Sequence, residues 1–402
     1  MTNPDRPRPN IIRRFLGSPS SAGLVLIAAA IGALALANSP IGPGYATMLH
    51  ARLGPLSLEQ WINDGLMTLF FLLVGLEIKG EMLEGELSTW PRRILPGIAA
   101  AGGMIVPALI YLALNRGPTA AGWAIPMATD IAFALGVTAL LGRRVPASLR
   151  IFLAALAIID DLGAVLIIAL FYTTHLSLPD LAGAAVALLV LIGLNRLGVR
   201  RLSPYMLVGL VLWGLMLRSG IHATLAGVML AFTIPMDRTP GRSDGHGNGD
   251  DVSPLRKLEH RLDRPVAFLV VPIFALANAA VPVLGLPPGA LPAPVTLGVA
   301  AGLLIGKIMG VFGFATIAVR LGLAAMPAGA DRLQMLGTAC LCGIGFTMSI
   351  FITLLAFPDS PLLQAEAKIG VLAGSLAAGM LGYAILRRAG RGSDQGADTL
   401  RS

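Results

Sequence analysis

Apolar and polar residues do not alternate along this 402-residue chain; they segregate into long apolar blocks separated by short polar breaks. Twelve blocks stand out, at about 18–38, 61–84, 94–115, 119–141, 147–173, 180–195, 203–217, 219–236, 262–283, 294–319, 332–357 and 362–386. Most approach the ~20 apolar residues that a helix needs to cross a bilayer. The pattern predicts an all-α polytopic membrane protein with twelve transmembrane helices. Only Arg218 and Ser219 separate the seventh block from the eighth, so one long helix there, and eleven spans in all, is the competing reading.

Composition agrees and narrows the class. Charged residues make up 13% of the chain and hydrophobic residues 55%, whereas a soluble domain carries about 25% charged. So few charges could not cover a soluble protein of this size. Disordered, collagen-like and disulfide-scaffold classes are excluded by the same figures. The net charge of +8 would elsewhere raise nucleic acid as a partner. Here the basic residues lie in the breaks. With the N-terminus inside, every Lys and Arg of the 30 falls on the cytoplasmic side except Arg52, Arg116, Arg218, Lys368 and the mid-span Lys307. Merging two spans would scramble this alternation. Both termini are therefore expected in the cytoplasm, and no nucleic-acid partner is expected.

The chain reads as a single transmembrane domain over 1–402. Within it, 45–58 forms an outer hairpin, 237–260 a flexible Gly/Asp-rich cytoplasmic loop, and 389–402 a disordered tail. The first apolar block resembles a signal peptide, but a polytopic chain needs that helix to set its orientation, so it is expected to be retained. Cys340 and Cys342, the only cysteines, lack metal-site spacing and are assigned to packing.

Ionisable side chains at membrane depth are expensive and mark function. Four lie near the middle of their spans: Asp130 in the fourth, Asp160 and Asp161 in the fifth, Lys307 in the tenth. A structural Asp–Lys pair would explain two of them. It leaves an excess of carboxylates, so at least one must be protonated or hold a cation. Helix breakers lie at the same depth. Pro126 and Thr129 precede Asp130 in the fourth span, and Gly343 and Gly345 interrupt the eleventh. Two broken helices of opposite sense are the mark of an inverted-repeat transporter. A second cluster, Glu77, Lys79, Glu81, Glu84 and Glu86 with Glu259 and His260, lies at the cytoplasmic face. It reads equally as a cation-attracting vestibule or as ordinary solvated helix ends. His222 is more simply a packed, hydrogen-bonded residue than a sensor.

At these residues the chain resembles the NhaA family of sodium/proton antiporters. The likeness is carried by Gly75-Leu76-Glu77-Ile78-Lys79, Ala128-Thr129-Asp130-Ile131-Ala132-Phe133, Ile158-Ile159-Asp160-Asp161-Leu162-Gly163, His222-Ala223-Thr224-Leu225-Ala226-Gly227, Leu258-Glu259-His260, Gly306-Lys307 and Gly343-Ile344-Gly345-Phe346-Thr347, in the family's order. The resemblance implies a transporter, not an enzyme, of the bacterial inner membrane. It would expel Na+ or Li+ in exchange for more than one H+, with activation at alkaline pH and no cofactor beyond the transported ions. It further implies Asp161 as main cation ligand with Asp160, Lys307 paired with Asp160, and Asp130 and Thr129 at broken, crossing helices. Glu77, Glu81, Glu259 and, less directly, His222 fall where the family places pH-response residues, and the 45–58 hairpin where it joins a homodimer. The chain departs at Gly80, where a basic residue is common, and in the insertion after Thr239. The alternative is a Na+-coupled solute symporter using the same acidic site, though few other mid-span polar residues are present to bind a solute. An intramembrane aspartyl protease is disfavoured, because the only Gly-x-Gly-Asp string, at 247–250, lies in the polar loop.

Overall fold

A computed structural model describes residues 21–85, 87–173, 176–236, 253–285 and 287–398. The basic N-terminus and most of the 237–260 loop lie outside the described residues.

The architecture is helical. In chain order it comprises α1 (Ser21–Ala37), α2 (Gly42–His50), the strands β1 (Arg52–Leu53) and β2 (Leu56–Ser57), α3 (Met67–Leu83), α4 (Trp90–Leu114), α5 (Ile131–Leu141), α6 (Ala147–Phe171), α7 (Leu178–Arg196), α8 (Leu202–Ser219) and α9 (Leu225–Thr233). There follow α10 (Pro254–Pro265), α11 (Val271–Asn278), α12 (Pro294–Ala301), α13 (Gly313–Arg320), α14 (Arg332–Leu341), α15 (Phe346–Ala356) and α16 (Pro361–Asp398). Each of the twelve apolar blocks falls on helix. Among the described residues six helices are singly long and apolar enough to cross a membrane, and three bent pairs bring the total to as many as nine. The chain is thus a multi-pass helical protein. Large apolar side chains such as Leu166, Leu189, Leu207 and Leu210 point outward, as lipid contact requires.

Local chemistry explains the boundaries. Between α8 and α9 the chain passes through Gly220 at φ +84°, a left-handed conformation that stops α8. The one-long-helix reading fails there, and Leu225–Thr233 is a separate helix. On the outer segment only 52–57 is a hairpin, with Arg52 opposite Ser57 and Leu53 opposite Leu56 about Gly54-Pro55; 42–50 before it is helical. Ser57 and Gln60 close a reciprocal capping box that starts the next helix, and Asp331 and Gln334 do the same for α14. The last helix is assigned as far as Asp398, into the stretch expected to be a disordered tail; 399–402 lie outside the described residues.

Two breaks position the site. The fourth block is a 3-10 helix over Gly117–Met127, then extended backbone at 128–130, then α5, with a bend of 41°. The eleventh is α14, a turn through 342–345, then α15, with a bend of 43°. The tenth departs from expectation. Lys307 sits between two π-helical stretches, Gly302–Gly306 and Ile308–Phe312, a widening that often accompanies function. This helix packs on α4 with almost no space between backbones. A Cβ on Gly310 would lie 2.2 Å from the Gly102 carbonyl oxygen, and one on Gly306 2.7 Å from Pro107 Cα. Glycine at these positions lets the lysine helix approach closely enough to place its long side chain.

Candidate functional site

Asp130 occupies the N-cap of α5, and its Oδ1 accepts from the Phe133 amide at 3.0 Å. Its Oδ2 accepts from the Thr347 amide at 3.2 Å and the Thr347 hydroxyl at 2.6 Å, at the first turn of α15. One carboxylate therefore sits on the amino ends of two helices, where unpaired amides and both helix dipoles favour negative charge. The backbones of the two breaks also meet. The Asp130 amide donates to the Ile344 carbonyl at 2.6 Å, and the Thr129 hydroxyl to the Cys342 carbonyl at 2.9 Å. Each break satisfies polar groups that the other leaves open, as irregular backbone at membrane depth requires. The Gly345 amide donates to the Ser375 hydroxyl at 3.2 Å. Gly343 and Gly345 leave no room for a side chain: a Cβ would stand 2.3 Å from the Leu303 carbonyl oxygen or from Ser349 Oγ.

Lys307 is fully buried. Its Nζ lies 2.7 Å from Asp160 Oδ2 and 3.0 Å from Thr129 Oγ1. Thr129 thus links the lysine to the break in the fourth block. Asp161, on the next residue of α6, is as deeply buried but has no ion-pair partner among the described residues. The Oδ1 atoms of both Asp160 and Asp161 are buried without a hydrogen-bond partner. The negative charges of Asp160, Glu77 and Asp130 bear on Asp161, with Lys307 the opposing charge. The three acids are therefore not equivalent. Two helix ends compensate Asp130, an ammonium compensates Asp160, and Asp161 is left with open oxygen valence.

The inner acids are also drawn together. Glu77 is half-buried on α3, and the charges of Glu259, Asp263 and Glu81 act on it. Through Glu77 this group reaches Asp161. Arg256 holds Glu259 through Nη1, at 2.9 and 3.1 Å. Its guanidinium fills the space over Gly80, with Nη1 3.0 Å and Cζ 3.2 Å from where a Cβ would stand. A positive group supplied from α10 thus occupies the space over Gly80. Lys79 donates to the carbonyls of Phe232 and Ile234 at 2.8 and 2.5 Å, tying α3 to the carboxyl end of α9. His222 is not part of this cluster. Its Nε2 lies 2.8 Å from the Tyr172 carbonyl oxygen, twelve residues beyond Asp160 on the way to the other face.

Sequence reading missed three contributors: Thr347, Ser375 and the glycine seam of α4 with the lysine helix. Thr347 had a signal, being the hydroxyl residue that follows the Gly343–Gly345 break. A small-residue spacing at Gly102, Gly103, Gly306 and Gly310 was also visible.

Helices broken at matching depth, with a buried lysine and three carboxylates at the breaks, define a multi-pass membrane protein whose site has the construction of ion-coupled transporters. The chain belongs to the sodium/proton antiporter family described as "Na+/H+ antiporter 1", whose family model matches residues 13–386. It is 59% identical to "Na(+)/H(+) antiporter NhaA" of Mesorhizobium japonicum, over 94% of this chain and 94% of that protein. It is 60% identical to the protein of the same name from Rhizobium etli, over 93% of this chain and 95% of that one. The similarity to "Na(+)/H(+) antiporter NhaA 2" of Pseudomonas syringae pv. syringae is 58%, over 94% and 95%.

Proposed function

We propose that this chain exchanges Na+, and Li+, for protons across the bacterial cytoplasmic membrane, with Asp161 as the principal cation ligand. The observation that carries the reading is the inequality of the three acids. Asp130 has two helix ends and Asp160 the Lys307 ammonium, whereas Asp161 has an unpartnered, buried oxygen and, among the described residues, no counter-charge of its own. A carboxylate so placed must take a proton or a cation, and one excludes the other. That competition is the elementary requirement of an exchanger. Asp160 is a second oxygen donor for the ion, held by Lys307; Asp130 and Thr129 hold the two breaks against each other.

In this reading the twelve helical blocks are twelve spans with both termini inside, and the fourth and eleventh cross as inverted repeats. The exchange moves net charge, with more than one H+ per Na+. Activity rises at alkaline pH through the group of Glu77, Glu81 and Glu259. The outer hairpin joins two copies. The distribution of basic residues supports the orientation, and the shared field of the inner acids supports the pH response.

The test is Na+-induced proton movement in everted membrane vesicles at several pH values. Sodium added to acidified vesicles should release protons without any organic solute. Sodium uptake that needs an added solute, with no proton release on sodium alone, would instead make this a symporter.

A further inference from the structure

A lateral groove of about 560 Å3 opens between α3, α4 and α6. Gly97 and Ile98 of α4, Ile159 and Leu162 of α6, and Met82 of α3 line it. Its inner wall is therefore the stretch of α6 that flanks Asp160 and Asp161. At its rim stand Trp90, 74% exposed, and Arg93. Arg93 is the one ionisable lining residue among the described residues; Glu81 and Glu84, on the same end of α3, do not line the groove. The Arg93 guanidinium donates from Nε to the Leu87 carbonyl and from Nη2 to the Met82 carbonyl at 3.2 Å. These bonds anchor its plane at the rim, and Nη1 has no hydrogen-bond partner among the described residues.

We propose that this groove binds one anionic phospholipid, with an acyl chain against α6 and the phosphate on Arg93. The charge makes the choice. A hydrocarbon chain gains little by leaving the bilayer for an equally apolar groove, so selectivity must come from the head. A guanidinium fixed at an apolar rim, with an exposed tryptophan beside it, suits a phosphate at the interface. A cationic amphiphile meets the wrong sign. The bound chain covers the lateral side of the aspartate-bearing stretch with hydrocarbon instead of water. The inference needs the chain to be membrane-embedded but not that it exchange sodium, so its test reads binding and not transport.

The test uses the full chain in detergent micelles, with phosphatidylglycerol or phosphatidylcholine of identical acyl chains added at equal mole fraction. A lipid bound only by the folded protein raises the melting temperature. The increment should be larger with phosphatidylglycerol than with phosphatidylcholine. Gly97→Leu fills the groove without a clash at Cβ, since nothing lies within 4 Å of that position. In this variant the difference between the two lipids should disappear. Arg93→Gln, which keeps a donor for the loop carbonyls but loses the charge, should abolish the same difference. Phosphatidylglycerol with a photoreactive acyl chain should label 158–162 or 94–98 in the wild type. Equal increments from both lipids, or an undiminished preference in Gly97→Leu, would overturn the proposal. So would an equal rise with inorganic phosphate alone, which would assign the effect to a bare anion.

Discussion

Lys307→Gln is the sharpest perturbation of the site. The Nζ of Lys307 has two partners, Asp160 Oδ2 at 2.7 Å and Thr129 Oγ1 at 3.0 Å, and both ends of the ion pair are wholly buried. Removing the ammonium leaves the Thr129 hydroxyl bonded to the Cys342 carbonyl but leaves Asp160 without its counter-charge. Breaking a buried pair from one side costs about 3–5 kcal/mol, because the surviving charge is uncompensated. Asp160→Asn should cost a similar amount, for the mirror-image reason. The double variant Asp160→Asn/Lys307→Gln has no charge left to strand, so it should be far more stable than the sum of the singles predicts. Their coupling should lie at or beyond the upper end of the ~0.5–3 kcal/mol seen for contacting residues. Denaturant unfolding of the four purified proteins in one detergent measures this cycle. Effects that add to within about 0.5 kcal/mol would refute the reasoning, since independent sites add and paired ones do not. The same Lys307→Gln protein separates two roles for the lysine. If the ammonium carries a proton in each cycle, voltage-sensitive recordings should show electrogenic exchange lost. If it only holds the lysine helix against α6, folded protein should move charge as before.

Four further outcomes can be measured. Asp161→Asn should abolish Na+-induced proton movement while leaving the melting temperature close to that of the wild type, because amide and acid are nearly isosteric; exchange at wild-type rates would remove Asp161 from the site. In the wild type, wherever the site is mainly protonated, apparent Na+ affinity should fall up to about tenfold per unit drop in pH for each competing proton. A pH-independent affinity in vesicle titrations would exclude competition. Gly343→Ala forces a Cβ to 2.3 Å from the Leu303 carbonyl oxygen, an overpacking that should cost about 1–3 kcal/mol and appear as a lower melting temperature. Reporter tags at residue 245 and at the C-terminus should read cytoplasmic and a tag at residue 53 external; an external C-terminus would defeat the twelve-span topology.

Hydropathy is a local property, and it was sufficient for the helical blocks. It also located both breaks, because Pro126, Gly343 and Gly345 are backbone signals readable without a partner. The placement of Asp130, Asp160, Asp161 and Lys307 inside their apolar blocks was read by counting residues inward from the loops. The boundary at 218–220 was less legible. Two charged or polar residues do not stop a helix, whereas the positive φ of Gly220 does, and sequence alone did not reveal that this glycine adopts it. The outer hairpin proved shorter than the turn residues implied, since helix continues through His50 before the strands begin.

By itself the sequence determined that the chain lies in a membrane and which ionisable side chains fall inside its apolar blocks. Each of these depends on residue type and spacing along one span. Only the tertiary structure decided how the acids differ. Asp160 finds Lys307 147 residues away, and Asp130 finds Thr347 217 residues away. No periodicity encodes such distances. Adjacent aspartates on one helix point in different directions, so one meets the ammonium and the other does not. The filling of the space over Gly80 by Arg256 from α10 belongs to the same class of fact. The sequence carries the vacancy and the charge, but only packing brings them to one place.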